Sequence, residues 1–228
     1  MLKLYIGNKN YSSWSMRPWV LMQQAGIPFE EVKVRFDGFD PASDFKTTMD
    51  RVSPVGKVPV LVDGNLAVWD SLAIAEYAAE RFPDKALWPA DRAQRARARS
   101  LCAEMHAGFG QLRSLCPMNI EAHLPEVGAR LWAEHEGLRQ DVARLVQMWR
   151  DALERQPESS LLFGDFSVAD AFYAPVCMRL LTYALPLPAD IAAYVARVRQ
   201  LPGVCAWVDD ALTECDFRDF EEPYRKAR

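Results

Sequence analysis

The chain has 228 residues, half of them hydrophobic and a quarter charged, with a formal net charge of −4. That is ordinary globular composition, with material for one large domain or two small ones. The negative balance argues against a nucleic-acid or anionic-membrane surface, and no apolar run approaches the ~20 residues of a membrane span. Met1 to Gly7 lacks the long apolar core and small-residue cleavage site of a signal peptide. Cys102, Cys116, Cys177, Cys205 and Cys215 are spaced neither for a metal nor as a C-x-x-C pair. They read as reduced thiols in a cytoplasmic protein without a metal. All lie in the second half, so thiol chemistry in the first half must use a ligand's sulfur.

Leu2 to Gly7 reads as a first strand. Asn8 to Ser15 is a polar turn leading into a helix over Met16 to Ala25. Ser13 or Ser15 serves as its N-cap, and Pro18 fits a first turn, where no N–H is needed. Gly26 ends that helix, and Phe29 to Phe36 alternates as a second strand. Gly38 to Val55 is irregular, with one short helix after Asp40-Pro41. Val58 to Val62 is a β-branched run, and Asp63-Gly64 a two-residue turn whose residues tolerate positive φ. Leu66 to Trp69 returns as the partner strand, and Leu72 to Arg81 has helical spacing. Residues 1–82 thus form an α/β domain. Residues 83–91, with Pro83 and Pro89, form a linker. From 92 to 228 alanine, arginine, leucine and glutamate dominate and strand signals vanish. Helices are expected at about Arg92–Leu115, Pro125–Glu154, Val168–Tyr183, Ala189–Gln200 and Val204–Glu214. In this all-helical domain Phe163 to Asp170 is a helix-start signature: Ser167 caps and Asp170 reaches back, as in a capping box.

The stretch Gly56 to Ser71 carries the chemistry. Pro59 has no N–H to give to a central strand, so it marks either a trans boundary or a cis Val58-Pro59 bond. In the cis form the Val58 backbone is free to pair with an extended peptide. Ser71 either caps the next helix or, with that helix's first N–H groups, holds a carboxylate. Asp70 beside it would hold an amine, and an amine with a carboxylate on one carbon is an amino-acid head group.

Val-Pro before a hairpin, Asp-Ser at the next helix and an all-helical second half together resemble a soluble glutathione transferase. The resemblance covers essentially the whole chain, with Gly56 to Ser71 and the Phe163 to Asp170 capping box its most specific parts. It implies a thioredoxin-like first domain, a cis Pro59, and glutathione as co-substrate. Tyr11 to Arg17 resembles the serine-type catalytic turn of zeta-like and related bacterial members, where Ser-Ser-Cys-Ser precedes an arginine. Ser12 falls on the catalytic serine, Ser13 and Ser15 on its neighbours, and Arg17 on the arginine. Trp14 replaces the cysteine, which speaks against maleylacetoacetate isomerase and thiol–disulfide activities and leaves hydroxyl-type activation intact. Physically, a hydroxyl donor and a helix N-terminus both favour a thiolate over a thiol of pKa ~8.5. By the same resemblance Val58 pairs with the cysteinyl part of glutathione, Asp70 and Ser71 hold its γ-glutamyl head, and Lys57 meets its glycine carboxylate.

The acceptor site is expected between the domains, along the first helix of the second half, at Met105, His106, Phe109 and Arg113. His106 is either an acid–base group or a satisfied interdomain histidine. The resemblance implies conjugation of glutathione to electrophilic small molecules in detoxification, and a two-fold homodimer. The other readings are a glutathione-dependent isomerase or peroxidase, or a non-catalytic relative that only binds. Trp88, Trp132 and Phe220 are apolar residues expected on exposed faces, and the tail Asp216 to Arg228 either folds over the first domain or frays.

Overall fold

The computed structural model describes residues 1–157 and 161–228. The β-branched and apolar runs of the first part form a four-stranded sheet in the order β2-β1-β3-β4. β1 (Leu2–Ile6) pairs in parallel with β2 (Phe29–Lys33) and antiparallel with β3 (Val60–Asp63), which pairs with β4 (Leu66–Trp69). Asp63 pairs with Leu66, so the hairpin turn is Gly64-Asn65 rather than Asp63-Gly64. Gly64 takes φ +57°, the left-handed region that a residue without Cβ enters cheaply. Val58-Pro59 is cis. Helices α1 (Ser13–Gln24) and α3 (Ser71–Arg81) cover one face over Leu4, Ile6 and Leu61. On the other face α2 (Asp44–Val52) packs Phe45 and Met49 against Val60, Val34 and Phe36. This is the α/β layering expected for the first domain.

Helix α1 begins at Ser13, with Ser12 at the N-cap position, so neither Ser13 nor Ser15 is the cap. Pro18 consequently falls in the second turn, where its missing N–H leaves the Trp14 carbonyl without a helical donor. Two expected long helices are each broken. Arg92–Leu115 divides into α4 (Arg92–Ala107) and α5 (Gly110–Leu115), because Gly108 is extended and Phe109 left-handed at φ 55°. A Cβ on residue 108 would lie 2.7 Å from the Glu104 carbonyl oxygen, so glycine is what lets the chain turn there. Pro125–Glu154 divides at the extended His135 into α6 (Pro125–Glu134) and α7 (Glu136–Leu153). Arg139 caps the freed carbonyls of Trp132 and Ala133.

The remaining helices are α8 (Val168–Thr182), α9 (Ala189–Arg199) and α10 (Pro202–Glu214). Helix α8 is buried on every side except at Leu181, and α1 lies between the sheet and α8. Trp88, expected at the surface, is buried under the Arg99 guanidinium. No helix among the described residues is long and apolar enough to cross a membrane.

The tail folds back across both parts. Asp216 pairs with Asn8 (2.9 Å) and Arg35 (2.7 Å). Glu222 accepts from Tyr11 Oη (2.8 Å) and Asn119 Nδ2 (2.9 Å), and Tyr224 Oη donates to the Leu115 carbonyl (2.7 Å). The Phe220 ring stands edge-on to Phe39 and remains half exposed.

The start of α8 is a heavily bonded buried point in the second domain. Asp170 accepts from Ser167 N (3.0 Å) and Ser167 Oγ (3.1 Å), closing the expected capping box. It also accepts from Leu162 N (3.2 Å) and Tyr194 Oη (3.1 Å). Burial pushes its carboxyl up to about 6, while those bonds pull the other way. Asp170→Ala strands several buried donors; it should cost roughly 2–4 kcal/mol and lower Tm by about 5–15 °C in thermal melts. An unchanged Tm would contradict the structural role.

Candidate active site

Asn8 to Ser15 is a polar turn that the structure buries. Asn8, Lys9, Asn10, Tyr11, Ser12, Ser13 and Ser15 are all under a tenth exposed. Buried polar groups need partners, and these come from both domains. Lys9 Nζ, at 3% exposure, pairs with Glu31 (2.7 Å) and with Asp210, over the faces of Trp19 and Trp207. Asn10 Oδ1 accepts from Glu121 N (2.8 Å). Ser15 Oγ accepts from Gly7 N (3.2 Å) and shares a 2.7 Å hydrogen bond with Ser12 Oγ. Ser13 Oγ accepts from Arg179 Nη2 (3.0 Å). The Ser12 hydroxyl makes no bond to the helix backbone, so α1 opens with its first N–H groups free of side-chain caps.

Two cavities meet at this turn. The smaller, about 350 Å³, is lined by Trp14, Lys57, Val58, Pro59, Trp69, Asp70 and Ser71, among others. The larger, about 490 Å³, has Ser12 and Ser13 on its wall, with Phe36 and Phe39 from the first domain and Met118 and Arg179 from the second. Trp14, Lys57 and Val58 border both.

At the head of α3 the roles differ from the sequence reading. Asp70, not Ser71, is the N-cap: at φ 76° its Oδ1 accepts from Leu72 N (2.8 Å) and Ala73 N (3.4 Å). Its Oδ2 stands 3.1 Å from His106 Nε2, and the His106 ring packs edge-on to Trp14. Ser71 is the first helical residue, fully buried, and its hydroxyl accepts from Arg17 Nη1 at 3.4 Å. The Arg17 guanidinium lies 4.1 Å from the Trp14 ring centre and 4.9 Å from that of Phe172. Burial, with Arg179 and Arg113 nearby, pulls Arg17 down to about 9; burial pulls Arg179 down to about 10.

The structure therefore brings Ser12, Ser13, Trp14, Lys57, Val58, Pro59, Asp70 and Ser71 to one connected groove. Ser15 and Arg17 lie just behind it. Of the second-domain residues expected at the acceptor site, Arg113 lines the larger cavity. Met105 and Phe109 are buried in the core, and His106 pairs with Asp70. The sequence reading missed Tyr11, Phe36, Phe39, Arg179 and Glu221 on the larger cavity's wall. Arg179 had a legible signal, as a charge inside the otherwise apolar run Tyr173 to Leu181. The phenylalanines and the tail glutamate had none, since long-range folding assembles them.

Two family models match the chain: glutathione S-transferase, N-terminal domain, over residues 11–81, and glutathione S-transferase, C-terminal domain, over residues 118–210. Together they span well over half of it, and the chain belongs to the glutathione S-transferase family, whose members take glutathione as co-substrate. Glutathione S-transferase 1 of Dianthus caryophyllus is 27% identical over 183 residues, 79% of this chain and 78% of that protein. Glutathione S-transferase Z1 of Arabidopsis thaliana is 37% identical over 95 residues, a match spanning 39% of this chain and 40% of the plant protein. Among solved structures, a Burkholderia glutathione transferase homolog with bound glutathione superposes with a TM-score of 0.68 at 25% identity, covering 92% of this chain and 97% of that one.

Glu221 closes the tail side of the larger cavity, and burial pushes its carboxyl up to about 7, with Glu222 reinforcing and Arg179 opposing. Folded chain thus holds a proton that unfolded tail releases from about 4.5 upward. This group's contribution to tail docking is full below about 4.5 and is lost as pH rises through about 7. Amide-exchange protection of residues 217–224, corrected for intrinsic rates, should fall between about pH 5.5 and about pH 8, and Glu221→Gln should flatten that fall. Equal protection at both pH values in the unsubstituted chain would contradict it.

Proposed function

We propose that the smaller cavity and the shared Val58 rim hold glutathione extended, and that the larger cavity receives the electrophile. The observation that carries this is the placing of Ser12: a hydroxyl at the uncapped N-terminus of a buried helix, on the wall of the larger cavity, two residues from Trp14, which borders both cavities. Asp70 and Ser71 would grip the γ-glutamyl head and the Val58 backbone would pair with the cysteinyl unit. Lys57 would meet the glycine carboxylate. The Ser12 hydroxyl donates to Ser15 Oγ (2.7 Å); with glutathione in place it would turn to the ligand's sulfur, and Ser15 would donate to Ser12 Oγ in return. Arg17, as well as the N-terminus of α1, adds positive potential nearby. Under those influences the bound thiol gives its proton to solvent. The thiolate then forms a carbon–sulfur bond with the acceptor, whose leaving group departs with its electron pair. Ser12 ranks before Ser13, which is engaged by Arg179, and before Ser15, which lies deeper. Trp14 in place of a cysteine supports conjugation over thiol–disulfide exchange. We further assign the protein to detoxification in the cytoplasm, as a homodimer.

Ser12→Ala should raise the bound thiol's pKa by about 1 to 2, read from the pH dependence of thiolate absorbance. It should also lower kcat/KM with an aryl halide by about 10- to 100-fold. Wild-type values in Ser12→Ala, with the loss appearing in Ser13→Ala instead, would move the role to the neighbouring hydroxyl; no change in either variant would sink hydroxyl activation. Light scattering should give twice the 25.9 kDa chain mass; a particle of single-chain mass at micromolar concentration would contradict the dimer.

A further inference from the structure

Charged side chains removed from water ordinarily carry a counter-charge. Arg17, Arg113 and Arg179 gather around Trp14 and Ser13, yet none of the three is in an ion pair among the described residues. Arg17 is turned toward Ser71 and lines neither cavity. Arg113 and Arg179 line only the larger cavity. Arg179 is nearly fully buried; it donates to the carbonyls of Arg113 (3.3 Å) and Cys116 and to Ser13 Oγ, all neutral acceptors, and Glu221 acts on it only through space. The Arg113 guanidinium lies 5.8 Å from the Trp14 ring centre, and its Nε is buried without a hydrogen-bond partner. The acid on this cavity's wall, Glu221, reaches no ion pair with either arginine, and burial disfavours its charged form. The same cavity's wall also carries Phe36, Phe39, Phe45 and Met118, with Lys46 and Lys57 as further cations.

A cavity lined by rings and by two guanidinium groups that form no ion pair fits a flat apolar body bearing a planar oxyanion. We propose that Arg113 and Arg179 form an anion subsite for the acceptor, so that the preferred electrophiles of this chain are aromatic carboxylates rather than neutral aromatics. This rests on the reading of the larger cavity as the acceptor site. It adds what that reading leaves open, the charge of the substrate and the residues that select it.

The test compares a chlorodinitrobenzoate with its methyl ester, two ligands of one shape that differ in charge. Affinities are measured by calorimetry on the whole chain in the presence of S-methylglutathione, which cannot react. The carboxylate should bind about tenfold or more tighter than the ester, and Arg113→Gln should remove most of that preference. Arg179→Gln should do the same. Where that buried change prevents folding, Arg113→Gln, at a half-buried position, decides the matter. Equal affinity for the two ligands, or a carboxylate preference that survives Arg113→Gln, overturns the proposal. Because calorimetry needs no turnover, these outcomes are separate from those of the transferase reading. Conjugation of the methyl ester by a chain without carboxylate preference would leave that reading standing and remove the anion subsite.

Discussion

A turn of polar residues, Asn8 to Ser15, has been taken out of water, and the rest of the structure is arranged to make that tolerable. An unpaired polar group in such a place costs on the order of 1–3 kcal/mol. Here the partners come from every direction: Gly7 and Glu31 within the first domain, Glu121 and Asp210 in the second, and Glu222 and Asp216 in the tail. Lys9, between two tryptophans and the three carboxylates of Glu31, Asp210 and Glu214, is the extreme case. The turn cannot shift without breaking contacts on both sides of the domain seam. Two domains and a tail therefore act as one support for the hydroxyls of Ser12, Ser13 and Ser15.

That support also decides the electrostatics of the groove. The seam excludes water from α1, so Arg17 and Arg179 are held where desolvation opposes their charge. The chain answers with rings and carbonyls instead of carboxylates: Trp14 and Phe172 around Arg17, the end of α5 around Arg179. Rings and carbonyls hold a cation without cancelling it. The groove thus keeps a positive potential for anionic ligand groups, with Asp70 as the exposed acid at its other end, beside His106. A zwitterionic head group and an anionic sulfur suit that distribution.

The local chemistry of the fold was largely legible in the sequence. Period-two runs gave the strands, the shift to alanine and arginine beyond residue 92 marked the helical part, and Ser167 with Asp170 announced α8. Where the reading failed, a tertiary contact had overridden a local rule. The hairpin turn moved by one residue because the Asp63–Leu66 pair continues the ladder. The helix through Phe109 broke because Gly108 can approach the Glu104 carbonyl, a freedom that composition does not reveal. Ser71 looked like the cap because serines usually cap; the left-handed Asp70 took that place and left the serine to Arg17. The site was legible as motifs, from Ser12 to Arg17 and from Gly56 to Ser71. It was not legible as a cavity, because Phe36, Phe39, Arg179 and Glu221 are far apart along the chain and meet only in the folded structure.

The central claim is that this buried turn points a serine hydroxyl at the sulfur of a glutathione stretched along Val58. A crystal structure of the chain with glutathione bound tests it most directly. The account requires the Ser12 oxygen within hydrogen-bond reach of the sulfur, about 3.0–3.5 Å, with the γ-glutamyl head at Asp70 and Ser71. A sulfur turned away from Ser12, Ser13 and Ser15, or a peptide lying outside the Val58 rim, would contradict it.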